Sequence, residues 1–200
     1  MLRTFFQFSH FKTAADIPAH FFRRGIRVNG VVKNLSVSRE GNIVLAVNHT
    51  PIVSLSPARK IKGTIPVQVA SVSVDPGQKN KAVVSAEEAL ARAQGKVRFC
   101  PLDISGDTVA AIVYVNRRVL HNADLGRNLV SLGLASSAPF DTALAGHKIY
   151  EKYYARLVKL ENAASKRKIG MWQQEKEEEG GNTPSLWSRV FKSLFKRKKK

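Results

Sequence analysis

The stretch Thr108-Val109-Ala110-Ala111-Ile112-Val113-Tyr114-Val115 decides how this chain folds. It is apolar nearly throughout and rich in β-branched residues, so it reads as the strongest strand in the sequence. Gly106-Asp107-Thr108 reads as the turn that enters it, and Asn116-Arg117 as the turn that leaves it. Going back along the chain, Val97-Arg98-Phe99 reads as another strand. Ser85-Ala86-Glu87-Glu88 has the pattern of a capping box, with Ser85 as N-cap and a helix through Leu90 to about Gly95. Ile65 to Val74 alternates as a strand, closed by Asp75-Pro76-Gly77. Arg39-Glu40-Gly41-Asn42 joins two β-rich runs, 26–37 and 43–47, as a hairpin.

Going forward, the pattern turns helical. Leu125, Leu129, Val130 and Leu132 mark one helix ended by Gly133. Tyr150, Tyr154, Leu157, Leu160 and Ala164 form a stripe along a second helix over 147–168. Gly170 closes it, with Met171-Trp172 turned back onto the core. Strands, a helix, further strands and two late helices imply an α+β fold or a small barrel with appended helices.

Composition narrows the function. Across 200 residues, 33 Lys+Arg face 15 Asp+Glu, a net charge of +18, while 44% hydrophobic residues suffice for a core. One cysteine, Cys100, excludes an intramolecular disulfide framework and a cysteine-rich zinc module. It reads as a buried structural thiol. His10, His20, His49, His121 and His147 show no regular ligand spacing, so no metal and no cofactor are expected. Such a basic surplus implies a polyanionic partner, either nucleic acid or an acidic membrane surface.

Three segments carry a resemblance. Ala111-Ile112-Val113-Tyr114-Val115-Asn116 is similar to a hairpin of the staphylococcal-nuclease-like family. Asn128-Leu129-Val130-Ser131-Leu132-Gly133-Leu134-Ala135 resembles that family's "L-V-x-x-G-L-A" helix end. Tyr154, Leu157, Glu161 and Ala164, followed by Gly170-Met171-Trp172, resemble its last helix and closure. The resemblance implies an OB-fold-type five-stranded β-barrel with about three helices, plus a C-terminal amphipathic helix here. Asp16-Ile17-Pro18, Phe21-Phe22-Arg23-Arg24-Gly25 and the basic tail resemble, more narrowly, the animal family named after human chromosome 3 open reading frame 33. Many of its members begin with a membrane-spanning segment, which is not expected for this sequence. The expected layout is an N-terminal arm (1–21), the barrel domain (22–173), an acidic, glycine-ended linker (174–182) and a basic tail helix (183–200).

The family's phosphodiester chemistry needs carboxylates for a hard cation, a carboxylate base and two arginines on the phosphate. At the matching positions this sequence has Asn42 for a metal carboxylate, Gln68 for the first arginine, Ser73 for the second acid and Thr108 for the second arginine. A register shifted by two matches Asp75 with that acid, but puts Ala70 at the arginine and Gln78 at the base. Either way the resemblance implies a nuclease fold without the nuclease set, that is, a pseudo-nuclease and not an enzyme.

The charge is concentrated at the end. Residues 184–200 hold seven basic residues and no acid, leaving +11 for the rest. Thr183-Pro184 suits a helix start. Trp187, Val190, Phe191, Leu194 and Phe195 then recur at helical spacing, with Arg189, Lys192, Lys196, Arg197, Lys198, Lys199 and Lys200 among or after them. Aromatic residues on one face and cations on the other mark interfacial membrane binding, with the anionic membrane as expected partner. The same stripe could pack on the barrel, and the basic run could serve nuclear import or nucleic acid. The reading is therefore a membrane-associated intracellular scaffold module whose protein partner is not specified. The acid-free N-terminus also suits a mitochondrial presequence. The alternative is an OB-fold nucleic-acid binder using phosphate contacts, weakened by the absence of Phe, Tyr and Trp between residues 23 and 98.

Overall fold

The computed structural model describes residues 11–51, 63–116 and 122–176. Strands β1 (Val28–Val37), β2 (Asn42–His49), β3 (Ile65–Val74), β4 (Lys96–Ser105) and β5 (Thr108–Asn116) form a closed barrel. β1 pairs antiparallel with β2 and β4, β2 with β3, and β4 with β5. Parallel pairing of Val67, Gln68 and Val69 on β3 with Val109, Ala110 and Ala111 on β5 closes the ring. Short strands β6 (Asn122–Asp124) and β7 (Ala135–Ser137) extend β5 and β3. Four helices accompany the barrel: α1 (Ala19–Arg24), α2 (Lys79–Arg92), α3 (Leu125–Ser131) and α4 (Lys148–Lys166). The fold is α+β with a five-stranded barrel, as the resemblance implied. The expected tail helix lies outside the described residues.

Alternation drives the barrel. Ile43, Leu45 and Val47 on β2, and Ile65, Val67 and Val69 on β3, are buried, while their neighbours face outward. The hairpin at residues 38–42 forms as expected, with the Ser38 N–H donating to the Asn42 carbonyl. Gly106-Asp107 makes the two-residue link between Ser105 and Thr108, the turn assigned to it. Cys100 is buried within β4, and burial pushes its thiol pKa up.

Two expectations need correction. The helix expected to start at Ser85 starts at Lys79. Pro76–Gln78 forms a 3₁₀ turn that leads straight into α2. Ser85 and Glu88 therefore lie inside the helix, and the capping-box pattern caps nothing. The N-terminal stretch, expected as a surface-lying arm, instead delivers Phe11, Ala14, Ile17 and Phe21 to the core. Phe11 stacks on the His49 ring, with centroids 4.5 Å apart, and its N–H donates to His49 Nδ1. Isolated aromatic residues without periodicity give no helix or strand signal, yet each buries a large apolar area.

α4 packs as the stripe predicted, with one shift. Tyr150, Tyr153, Leu157 and Ala164 are buried, while Tyr154 and Leu160 sit at the margin of the core. His147 caps the helix by accepting from the Tyr150 N–H, and its Nε2 bonds the Phe22 carbonyl of α1 at 2.9 Å. The end of α3 and the chain after α4 lock through backbone. Gly133 and Gly170 lie face to face with φ of 64° and 62°, and the Met171 N–H donates to the Gly133 carbonyl at 2.9 Å. A Cβ on Gly133 would collide with the Ile169 carbonyl. Gly133→Ala is thus expected to destabilise the fold by about 3 kcal/mol, through left-handed strain plus a backbone clash. Urea denaturation of the two chains measures this.

Candidate functional site

The four positions that the resemblance matches to the family's catalytic groups, Asn42, Gln68, Ser73 and Thr108, share the outward face of β2, β3 and β5. Each is half-buried and alternates with buried core residues. Register brings Asn42 opposite Ser73. Gln68 lies opposite Val44 on one side and Ala110 on the other, and Thr108 precedes Ala110 by two residues on that same face. The site thus holds one cross-strand pair, Asn42 with Ser73, and a diagonal neighbour relation, with Thr108 two residues along β5 from the partner of Gln68. Between Ser73 and Gln68, β3 carries three residues more than β2 does opposite it, a bulge centred on Ser71 at φ 53°.

The shifted register is less compatible with this geometry. Ala70 is 4% exposed, and its carbonyl accepts a hydrogen bond from the Tyr153 hydroxyl at 3.2 Å. A guanidinium there would sit in the core instead of on a phosphate. Gln78 is likewise buried, and its Oε1 lacks a hydrogen-bond partner. Asp75 stands at the N-terminal end of the 3₁₀ turn.

Around Asn42 the hairpin tip is closed by its own hydrogen bonds. The Asn42 side-chain amide donates to the Glu40 carboxylate at 3.2 Å, and the Asn42 N–H donates to Ser38 Oγ at 3.1 Å. Ser73 Oγ donates to the Glu40 carbonyl at 3.3 Å. Gly41 is pressed against β3: its carbonyl accepts from the Val74 N–H, and at φ 81° a Cβ would collide with the Val74 carbonyl. Among the described residues no cluster of three or more His, Cys, Asp or Glu side chains is placed to hold a metal ion. The donor set at the hairpin is one exposed carboxylate with an amide and a hydroxyl, a poor match for a hard cation that favours several carboxylate oxygens.

Three features escaped the reading of the sequence. The first is an aromatic group where β3 meets α4. Tyr150 is fully buried, its hydroxyl lies 2.7 Å from Ser71 Oγ, and it accepts from the Asp141 N–H at 2.9 Å. Phe140 and Tyr154 lean on the same ring. The second is Glu161, which accepts from the Ser137 hydroxyl; burial raises its pKa. The third is Asp124, the N-cap of α3, which accepts from the Arg127 N–H at 3.0 Å. Burial lifts its pKa to about 6, against the lowering effect of that hydrogen bond and of Arg127 and Arg156. The signal for Asp124 was present, since an Asp just before an apolar helical run is a standard N-cap pattern.

The family model of the staphylococcal nuclease homologues matches residues 73–174 of this chain. The chain belongs to that family of OB-type barrel proteins. The match begins at Ser73, downstream of Asn42 and Gln68. At the level of individual proteins, the chain is similar to human Protein C3orf33, with 22% identity over 182 residues. That alignment covers 90% of this chain and 58% of the human protein, so the chain spans well under two thirds of its relative's length.

Asp124 gives this region a pH signature with a definite sign. Its folded pKa lies above the ordinary 3.8, so the native state holds the proton more tightly than the unfolded chain. Its contribution therefore favours folding at acid pH and is lost as pH rises from about 4 to about 6. Asp124→Asn keeps a capping oxygen and removes the titration. The stability of this variant relative to the parent is expected to rise by roughly 1–3 kcal/mol between pH 4 and pH 7. Urea unfolding at several pH values checks this.

Proposed function

We propose that this chain is a pseudo-nuclease: a nuclease-type barrel that binds or scaffolds and does not hydrolyse phosphodiesters. The observation that carries the reading is the self-bonded hairpin tip, with an amide and a hydroxyl at the positions matched to carboxylates. Asn42 and Ser73 stand where the family's metal chemistry needs carboxylates, and they spend their polar groups on Glu40 and Ser38. Gln68 and Thr108 stand where two arginines would clamp the phosphate. Removing a single preorganised donor to a developing anion typically costs about 10²–10³ in rate, and here both cationic clamps and the acids are replaced together. A fold survives such losses readily, because fold and activity are separate properties.

We further propose that the tail places the module on an anionic membrane. The apolar stripe of Trp187, Val190, Phe191, Leu194 and Phe195, followed by the basic run 196–200, supports this. These residues lie outside the described ones, and the support comes from their spacing and charge. Among the described residues no helix is long and apolar enough to cross a membrane. The relative, human Protein C3orf33, carries no activity in its name, so the partner comes only from the chemistry of this chain.

Two measurements test the reading. Incubating the full chain with single- and double-stranded DNA in Ca²⁺ or Mg²⁺ is expected to give no cleavage above a protein-free control; sustained turnover refutes the pseudo-nuclease assignment. In flotation, the full chain is expected to rise with phosphatidylserine-rich vesicles and not with neutral ones. Loss of residues 184–200 is expected to abolish the difference. Equal flotation in all four cases rejects the membrane role.

A further inference from the structure

The outward wall formed by β1, β4 and β5 carries an unusual charge pattern. Register places Lys96 opposite Val31, and Arg98 between Asn29 on one side and Tyr114 on the other. The intervening residues Val97, Phe99, Val113 and Val115 are buried, so these side chains stand outward together. Lys96, Arg98 and Arg27 are exposed. The Arg27 guanidinium carbon lies 4.5 Å from the centre of the half-buried Tyr114 ring. Further along the same face, Cys100 is covered: a Cβ on Gly25, at the end of α1, would lie 3.5 Å from its sulfur. The wall is therefore open at residues 96–98 and roofed by α1 beyond them.

Among the described residues no acid is ion-paired with these cations. β1 and β5 contain no acid, and the acid of β4, Asp103, lies past the roofed part. Asp124, opposite Tyr114, is turned into its N-cap. Among the described residues none of Lys96, Arg98 and Arg27 has an ion-pair partner; the ion pair present there joins Arg92 to Glu88. Exposed cations without an ion-pair partner, grouped on one wall of the barrel, suit a surface of negative charge.

Two surfaces compete: nucleic acid and anionic lipid. Single-strand binding needs rings on which bases stack. Tyr114 already holds Arg27 over its ring, and residues 23–98 supply no other Phe, Tyr or Trp. Lipid headgroups need only exposed cations that can come within reach of them. We infer that the Lys96–Arg98–Arg27 wall is a second contact to an anionic membrane, orienting the barrel once the tail has docked. This rests on the membrane reading of the tail. Once the tail has docked, the wall meets the same bilayer intramolecularly, where a weak contact gains from its effective concentration.

The test uses the full chain and two variants. Lys96→Glu with Arg98→Glu alters the wall, and Trp187→Ser with Phe191→Ser alters the tail. Sedimentation with phosphatidylserine-rich vesicles at about 0.1 M salt, where screening sets in beyond about 10 Å, gives the affinities. Each cation near an anionic surface is worth a factor of about five, so the wall variant is expected to bind at least tenfold more weakly, with its tail intact. Unchanged vesicle affinity of the wall variant overturns the inference, whatever the tail variant does. Loss of binding to a short oligonucleotide with vesicle affinity unchanged also overturns it and assigns the wall to nucleic acid. If the wall variant weakens while the tail variant binds like the parent, the wall stands and the tail reading alone falls. Lys96→Gln with Arg98→Gln, expected to give a smaller loss in the same direction, covers the case in which the glutamates impair folding.

Discussion

The parallel pairing of β3 with β5 is the constraint on which the rest of this structure depends. Three successive pairs, from Val67 with Val109 to Val69 with Ala111, convert an antiparallel meander into a closed ring. Closure removes two sheet edges and encloses Val67, Val69, Val109 and Ala111, all of them fully buried. Immediately after the third pair, β3 must leave the barrel to meet β7 and the helices. It does so through Ser71 in the left-handed region, a conformation that costs a non-glycine residue roughly 1–2 kcal/mol. Tyr150 offsets that cost by reaching out of α4 to Ser71 and to the backbone of Asp141. One strand thus belongs to two packing units, and a buried tyrosine holds its bend.

Elements defined by local periodicity were legible in the sequence. β3 and β5 fall where alternation and the long apolar run put them, and α4 is within two residues of its stripe. What was not legible depends on tertiary context. The first turns of α2, beginning Lys79-Asn80-Lys81, are polar, so the apolar pattern starts only deeper in the helix and Ser85 looks like a cap. Phe11, Ile17 and Phe21 take their meaning from the cavity they fill, including the His49 ring, which lies 38 residues away. The candidate site was half legible. The resemblance proposed Asn42, Gln68, Ser73 and Thr108, which the structure places on one face, but it left two registers open for β3. The burial of Ala70 favours the register with Gln68 and Ser73.

That register bears on what the barrel face costs to maintain. An active phosphodiesterase holds like charges close together and keeps them partly dehydrated, which works against stability. At the hairpin tip beside β2 and β3 here, the Asn42 amide, the Ser38 and Ser73 hydroxyls and the Glu40 carboxylate each find a partner within the hairpin or across to β3. Strain and unsatisfied polarity are found elsewhere, at Ser71, in the buried Gln78 carbonyl oxygen and at Arg127 Nε, all outside the hairpin tip.

The distribution of charge follows the same logic. A net +18 first points to nucleic acid, and in a nuclease family the natural place for it would be the catalytic face. Cations are spread over much of the described surface, with Lys96, Arg98 and Arg27 grouped on the wall of β1, β4 and β5 and seven more in residues 184–200. On the wall, the ring of Tyr114 already carries Arg27, and the tail's spacing adds an apolar stripe that nucleic acid does not need. On the proposed reading, cations grouped on one wall and joined to apolar side chains in the tail would let surface potential orient the barrel. Because surface potential is screened within about 10 Å at 0.1 M salt, such orientation requires the wall to lie close to the bilayer. The tail satisfies that requirement only if it binds first, so on this reading its apolar stripe, and not the larger charge, controls the order of events.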